Sequence, residues 1–360
     1  MKLAILGTRG VPNHYGGFEQ FAQYLSEEFV KKGHDVYVYN SQNHPYQKSE
    51  WKGVKIIHCK DPSNTIGTAS QFIYDLNCII DSRKRNYDII LQLGYTSSSI
   101  WNGLFPKGTI IVTNMDGLEW KRKKYTKLVQ KFLLFAEKLA VKYSNYLISD
   151  SIAIQSYLKQ KYSIDSKYIP YGAFIVNNVD KQILKDFNVE ENSYNILVAR
   201  MEPENNIETI LQGFVNSNTS RKFIVVGNTS NKYGSYITEK FKDSRIIYTG
   251  YIETIEKLNA LRKYSYLYFH GHSVGGTNPS LLEAMSSSSL ICAHNNHFNK
   301  AILDENAFYF NCDKCITSLL EKQNIQEREL YIHNNLEKIK KKYRWSKVLN
   351  EYENFLKSKI

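Results

Sequence analysis

What most limits this chain is an alternation that runs twice along it. Lys2–Gly7, Asp35–Asn40, Val54–His58, Asp88–Leu93, Thr109–Thr113 and Tyr146–Ser149 are short, apolar and β-branched, as strands are. Phe18–Lys32 and Thr68–Arg85 carry helical periodicity between them. The pattern restarts with Asn195–Ala199, Lys222–Val226, Arg245–Thr249, Tyr266–His270 and Leu290–Ala293. Strand–helix alternation predicts parallel sheets with right-handed crossovers. The expected fold is therefore α/β, with two doubly wound, Rossmann-like domains. A length of 360 residues suits two cores better than one. Pro and Gly interrupt the rhythm at Ile169-Pro170-Tyr171-Gly172. The expected domains are 1–170 and 171–340. Residues 341–360 include the amphipathic Trp345–Lys357 and are expected to pack back on the first domain. Ligands of such sheets bind at strand carboxyl ends, so the cleft between domains is the expected site.

Net charge is +12 and uneven. Residues 1–170 hold 23 Lys/Arg and 14 Asp/Glu, a surplus of +9, which leaves +3 for the remainder. A basic first half suits an anionic partner. The run from Lys121 to Lys142 has eight Lys/Arg against the single acid Glu137, interleaved with Phe132, Leu133, Phe135, Ala136, Leu139 and Ala140. It reads either as a basic amphipathic helix lying on an anionic membrane or as a core helix with a solvated basic face. No recognised nucleic-acid motif accompanies it, so nucleic acid is not an expected partner. No apolar run approaches the roughly 20 residues of a membrane span, and Leu3–Leu6 is too short for a signal peptide. Cys59, Cys78, Cys292, Cys312 and Cys315 form no regular framework, which points to a reducing cytoplasm. Cys312 and Cys315 make a lone CxxC without the second pair a zinc site needs.

Four motifs carry chemistry. GTRGVPNHYGGFEQ, Gly7 to Gln20, is a glycine-rich turn opening a helix, where backbone N–H groups could face an anion. Its spacing is not GxGxxG, which argues against a nicotinamide oxidoreductase. Arg9 and His14 on this loop could reach a phosphate or a sugar. NMDGLEWKR, Asn114 to Arg122, offers Asp116 and Glu119 for hydroxyls or for a proton from an attacking hydroxyl, and Trp120 as an aromatic face. In ARMEPENN, Ala199 to Asn206, Arg200 follows a strand and could hold a diphosphate. GHSVGGTNPSLLEAM, Gly271 to Met285, sets Thr277 or Asn278 as a cap, Pro279 in the first turn and Glu283 one turn deeper. Free N–H groups at that tip would bind phosphate, and Glu283 would accept from a ribose diol. No Asp-x-Asp is present to chelate a metal for a diphosphate, so Arg and helix dipoles are expected to stabilise leaving charge, with no cofactor and no metal.

These motifs, in order over nearly the whole chain, resemble the family 4 retaining glycosyltransferases of the GT-B fold, and most of all a bacterial rhamnosyltransferase-like subgroup that includes β-1,4-rhamnosyltransferases of capsule assembly. The resemblance implies a nucleotide-diphosphate sugar held by the second domain and an acceptor held by the first. Arg200 would contact the diphosphate and Glu283 the ribose. His272, Gly276, Thr277, Asn278, Pro279 and Ser280 would meet phosphate or sugar. Ile252 would pair the base edge through its backbone, and Gly16 and Gly17 would close over the donor. Arg9, His14, Asp116 and Trp120 would serve the acceptor, with Asp116, Glu119 and Arg200 as catalytic groups. Many family members carry Lys where this chain has Asn205, and an acid where it has Gly275. The subgroup shares both changes, which argues for an altered donor: dTDP-L-rhamnose, passed to a lipid-linked saccharide at the cytoplasmic membrane face. The competing classes are a nucleotide-sugar epimerase of the same fold and a non-catalytic sugar- or nucleotide-binding protein.

Overall fold

The computed structural model describes residues 1–360 apart from Tyr15, Lys123, Gln323 and Asn324. It divides into two units. The first comprises Met1–Lys121, Tyr125–Pro170 and Ser346–Ile360; the second comprises Arg122–Lys124 and Tyr171–Trp345.

The first unit is built on an eight-stranded sheet. Its strands are β1 (Lys2–Leu6), β2 (Asp35–Ser41), β3 (Glu50–Trp51), β4 (Val54–Cys59), β5 (Ile89–Leu93), β6 (Ile110–Asn114), β7 (Tyr146–Ser149) and β8 (Lys167–Tyr168), in the order β3-β4-β2-β1-β5-β6-β7-β8. Every pairing is parallel except β3 with β4. The central strands KLAIL and IILQL are buried without alternation, as in sheets covered on both faces. Helix Gly17–Lys31 lays Phe21, Ala22, Leu25 and Phe29 inward. Helix Ser70–Ser82 contributes Tyr74, whose hydroxyl donates to the carbonyls of Thr8 and Tyr39 at 3.0 and 2.8 Å.

Helix Trp345–Lys357 completes this unit from Ser346 onward. Tyr352 packs on Phe21 with ring centroids 4.8 Å apart, and its hydroxyl accepts from Asn114 Nδ2 at 3.0 Å. Glu353 accepts from Lys32 Nζ at 2.7 Å and meets His34 Nε2 at 2.9 Å. These partners, Lys32 first and then Lys357 and His34, pull the Glu353 carboxyl down to about 2.

The second unit is a six-stranded, all-parallel sheet. Strands β9 (Tyr194–Val198), β10 (Lys222–Val226), β11 (Ile246–Gly250), β12 (Tyr268–His270), β13 (Ile291–His294) and β14 (Phe308–Phe310) run in the order β11-β10-β9-β12-β13-β14. Phe214, Phe223 and Phe269 pack together in its core, edge to face and tilted, with centroids 5.0 and 5.4 Å apart. Among the described residues no helix is long and apolar enough to cross a membrane.

A depressed carboxyl contributes stability above its unfolded value and loses it as pH falls toward the folded one. Stability is therefore expected to drop as pH falls from about 5 toward 2. Glu353→Gln should make that drop shallower in a pH series of thermal unfolding curves.

Candidate functional site

In the second unit the strand ends gather the residues singled out from the sequence. Arg200 stands two residues past β9, with 57% of its side chain exposed and Nη2 4.0 Å from Glu202. The loop after β12 lies tight against the loop after β9. A Cβ on Gly271 would sit 1.8 Å from the Asn205 carbonyl oxygen, so only glycine allows the approach. Asn206 Nδ2 donates to the Gly271 carbonyl at 2.7 Å, and Ser273 donates to Glu204 O through both N–H and Oγ–H.

Asn205, at the position where many members of the resembled family carry Lys, joins the two loops. Its Nδ2 donates to the Arg200 carbonyl at 2.7 Å, which leaves Oδ1 to accept from His272 Nδ1 at 2.8 Å. That pairing turns Nδ1 toward the Asn205 amide oxygen. Burial, then Arg122 and Arg200, push His272 down to about 4, so it is neutral at pH 7. Gly275 sits directly beside it: a Cβ there would lie 2.9 Å from His272 Nε2.

Asn278 caps helix Pro279–Ser286, accepting from Ser280 N–H at 2.9 Å, with Pro279 in the first turn. Leu281 and Leu282 N–H both bond to the Asn278 carbonyl. The expectation of free N–H groups at this tip is therefore corrected: Ser280, Leu281 and Leu282 are satisfied internally, because the Asn side chain and carbonyl reach them first. Thr277 is buried and Gly276 half-buried. Ser280 Oγ lies 2.7 Å from Tyr268 Oη.

Glu283 has a partner that the sequence did not announce. Its Oε2 accepts from Arg262 Nη2 at 2.6 Å. Arg262 is 1% exposed, Glu283 24%. Arg262 Nε and Nη1 make no protein hydrogen bond. Glu283 is thus the counter-ion of a buried guanidinium, as well as a group at the edge of the site. Ile252, two residues past β11, is 9% exposed.

Sequence reasoning missed a second charged cluster in this unit. Glu204 is buried, with Arg122 Nη1 3.7 Å from its carboxylate and 3.8 Å from that of Glu202, which Lys124 also meets at 2.9 Å. Burial, and then Glu202, hold the Glu204 carboxyl above its usual range. The two acids flanking Pro203 were the available signal.

In the first unit the glycine loop is also filled from within. Glu19 Oε1 accepts from Arg9 N–H at 2.8 Å and from Thr8 Oγ1 at 3.2 Å, and a Cβ on Gly16 would lie 2.2 Å from Glu19 Oε2. The anion expected at this turn is the chain's own carboxylate, placed in the first turn of the helix opened by Gly17. Tyr15 of this motif lies outside the described residues. The Arg9 guanidinium binds Asp61, which Ser41 Oγ also reaches at 2.7 Å. His14 is exposed. Asp75, buried and unforeseen, accepts from Ser97 Oγ at 2.5 Å and Gln71 Nε2 at 2.9 Å. Burial raises it to about 6.

Asp116 takes a left-handed backbone, φ 42°, and its N–H donates to Asn114 Oδ1 at 3.0 Å. Glu119 is half-buried in a short 3-10 turn, Glu119–Lys121. Trp120 Nε1 donates to Glu137 at 3.1 Å, and Lys121 and Lys161 lie 5.3 and 5.2 Å over its ring. Its aromatic face, expected for a sugar, therefore already has cation neighbours. Glu137 also accepts from Tyr157, Tyr162 and Lys161, which explains the one acid in the basic run.

That run is corrected as well. The helix spans Lys127–Tyr143, Arg122 and Lys124 belong to the second unit, and Lys123 lies outside the described residues. Lys127, Lys131, Lys138 and Lys142 remain on the helix as exposed cations. Beside them an apolar groove of about 920 Å³ is lined by Phe72, Leu128, Val129, Phe132 and Phe135, with Lys131 at its wall. Gln71 and Ser97, which hold Asp75, line the same groove. Among the described residues no group of three or more His, Cys, Asp or Glu side chains is arranged to ligate a metal.

Residues 1–174 match the family model described as a domain of unknown function, DUF1972. Over an alignment of 406 residues, covering 98% of this chain and 97% of the relative, the chain is 23% identical to the uncharacterized glycosyltransferase MJ1069 of Methanocaldococcus jannaschii. Among solved structures it is similar to sucrose-phosphate synthase of Thermosynechococcus elongatus, with a TM-score of 0.83, 13% identity and coverage of 99% of this chain and 98% of that one. It is also similar to Alr3699/HepE of Anabaena in complex with UDP, with a TM-score of 0.78, 13% identity and coverage of 99% and 100%. The fold is that of the GT-B glycosyltransferases.

Removing one partner of a buried pair leaves an uncompensated charge. Glu283→Ala is therefore expected to lower the stability of the second unit by on the order of 3 kcal/mol, and Glu283→Gln by less. Urea unfolding checks this.

Proposed function

We propose that this protein is a retaining glycosyltransferase that moves a sugar from a nucleotide diphosphate to a lipid-linked saccharide. Relatives of this fold include a curated glycosyltransferase and a protein solved with UDP-glucose, which supports glycosyl transfer. The observation that carries the reading is the edge of the second unit, where an exposed guanidinium, Arg200, stands beside a loop pair locked by Asn205 and Gly271. Arg200 stabilises the departing diphosphate. Thr277, Gly276 and His272 line the approach, and neutral His272 brings no charge to it. Ile252 meets the base.

The donor we favour is dTDP-L-rhamnose, on the likeness of the four motifs and the glycine at 275. A deoxy sugar presents fewer hydroxyls and needs no carboxylate there. The acceptor hydroxyl attacks the anomeric carbon on the leaving-group side, and its proton passes to the diphosphate or is shared with Asp116. The first unit holds the acceptor. Its groove accepts an apolar tail, the lysines of helix Lys127–Tyr143 meet anionic headgroups, and the protein associates peripherally with a membrane.

Ligand at 100 times its dissociation constant is expected to add about 2.7 kcal/mol to the second unit. Thermal unfolding with dTDP, UDP, GDP and ADP, each with and without EDTA, reads the preference for base and metal. A dTDP shift that survives EDTA supports the reading, and a UDP or GDP preference removes rhamnose from it. Arg200→Ala should abolish most of the shift while the unliganded protein changes by no more than about 0.5 kcal/mol, as expected of an exposed site. Separately, Lys127→Glu with Lys131→Glu should reduce co-sedimentation with phosphatidylglycerol vesicles while leaving the nucleotide shift unchanged.

A further inference from the structure

Three of the five cysteines, Cys59, Cys78 and Cys292, are buried thiols. The other two are different: Cys312 is half-buried, Cys315 is exposed, and their Sγ atoms lie 3.2 Å apart. Cys312 is the N-cap of helix Asp313–Leu320, and Cys315 sits in its first turn. The helix is firmly seated. Ile316, Leu319 and Leu320 are buried, and Gly213 lets it approach so closely that a Cβ there would lie 2.6 Å from both Asp313 O and Ile316 Cβ. The hydrogen bond from Cys312, then the N–H groups of Asn311, Cys312 and Cys315 itself, hold the Cys315 thiol below its usual range. A helix N-terminus favours the thiolate for the same reason. None of these features serves nucleotide or sugar binding.

We propose that Cys312 and Cys315 form a thiol–disulfide exchange site, a reversible dithiol whose substrate is a low-molecular-weight disulfide. The Cys315 thiolate attacks one sulfur of the small disulfide. A mixed disulfide forms at Cys315 and the first small thiolate leaves. Cys312 gives up its proton and attacks Cys315 Sγ, expelling the second small thiolate. Two protein thiols and one small disulfide become one protein disulfide and two small thiols. Closing the bond needs the two sulfurs to approach by only about 1 Å, to the usual 2.05 Å.

The test equilibrates the full chain in glutathione buffers of increasing oxidised fraction. It then quenches with acid, alkylates the remaining thiols and maps them by mass spectrometry. A Cys312–Cys315 disulfide should form and reverse with dithiothreitol, while Cys59, Cys78 and Cys292 are alkylated only after denaturation. Cys312→Ser should instead leave glutathione on Cys315. Two free thiols at 312 and 315 in every buffer would overturn the proposal. So would a disulfide forming equally well in the urea-denatured chain, because the site belongs to the folded helix. The readout is covalent and does not depend on glycosyl transfer.

Discussion

A strand buried on both faces can offer a ligand nothing but its end. In the first sheet every pairing except β3 with β4 is parallel, and in the second every pairing is. Strand carboxyl ends therefore gather along one edge of each, and polar groups must gather with them. Several charged groups there take partners distant in the chain or from the backbone. Arg9 has Asp61, Arg262 has Glu283, and Glu19 has the N–H groups of the glycine turn. An unpaired buried charge costs several kcal/mol, so these pairings position the loops as firmly as the apolar core positions the strands.

The same logic bears on Asn205. A Lys there would add a cation beside Arg200, Arg122 and Lys124. The amide instead spends its donor on the Arg200 carbonyl and its acceptor on His272. This side of the site thereby exchanges charge for shape. Arg200 keeps an exposed guanidinium, and a neutral imidazole is held next to a glycine with no side chain.

Much of the fold was legible in the sequence, because buried parallel strands are locally apolar and β-branched. Tyr146–Ser149, Lys222–Val226 and Trp345–Lys357 have the bounds read from sequence, and the other expected strands shift by at most two residues at either end. The strands β3, β8 and β14 were not legible. They are two or three residues long and exist because a neighbour offers an edge, which no local pattern records. The site was legible as motifs but not as partnerships. Arg9 and Asp61 are 52 positions apart, and Arg262 and Glu283 are 21. The basic run looked like one helix because charge alone does not show that Arg122 and Lys124 serve Glu202 and Glu204 instead.

The helix that closes the first unit follows the second unit in the chain. Synthesis delivers residues 171–345 before it, at about 5–20 residues per second. For on the order of ten to thirty seconds, the surface around Phe21, Lys32 and Asn114 waits on the ribosome without its cover. The first sheet can assemble in that interval, but the unit cannot finish. A chain that stalls before Ser346 therefore presents a first half that still lacks the helix covering Phe21 and Asn114.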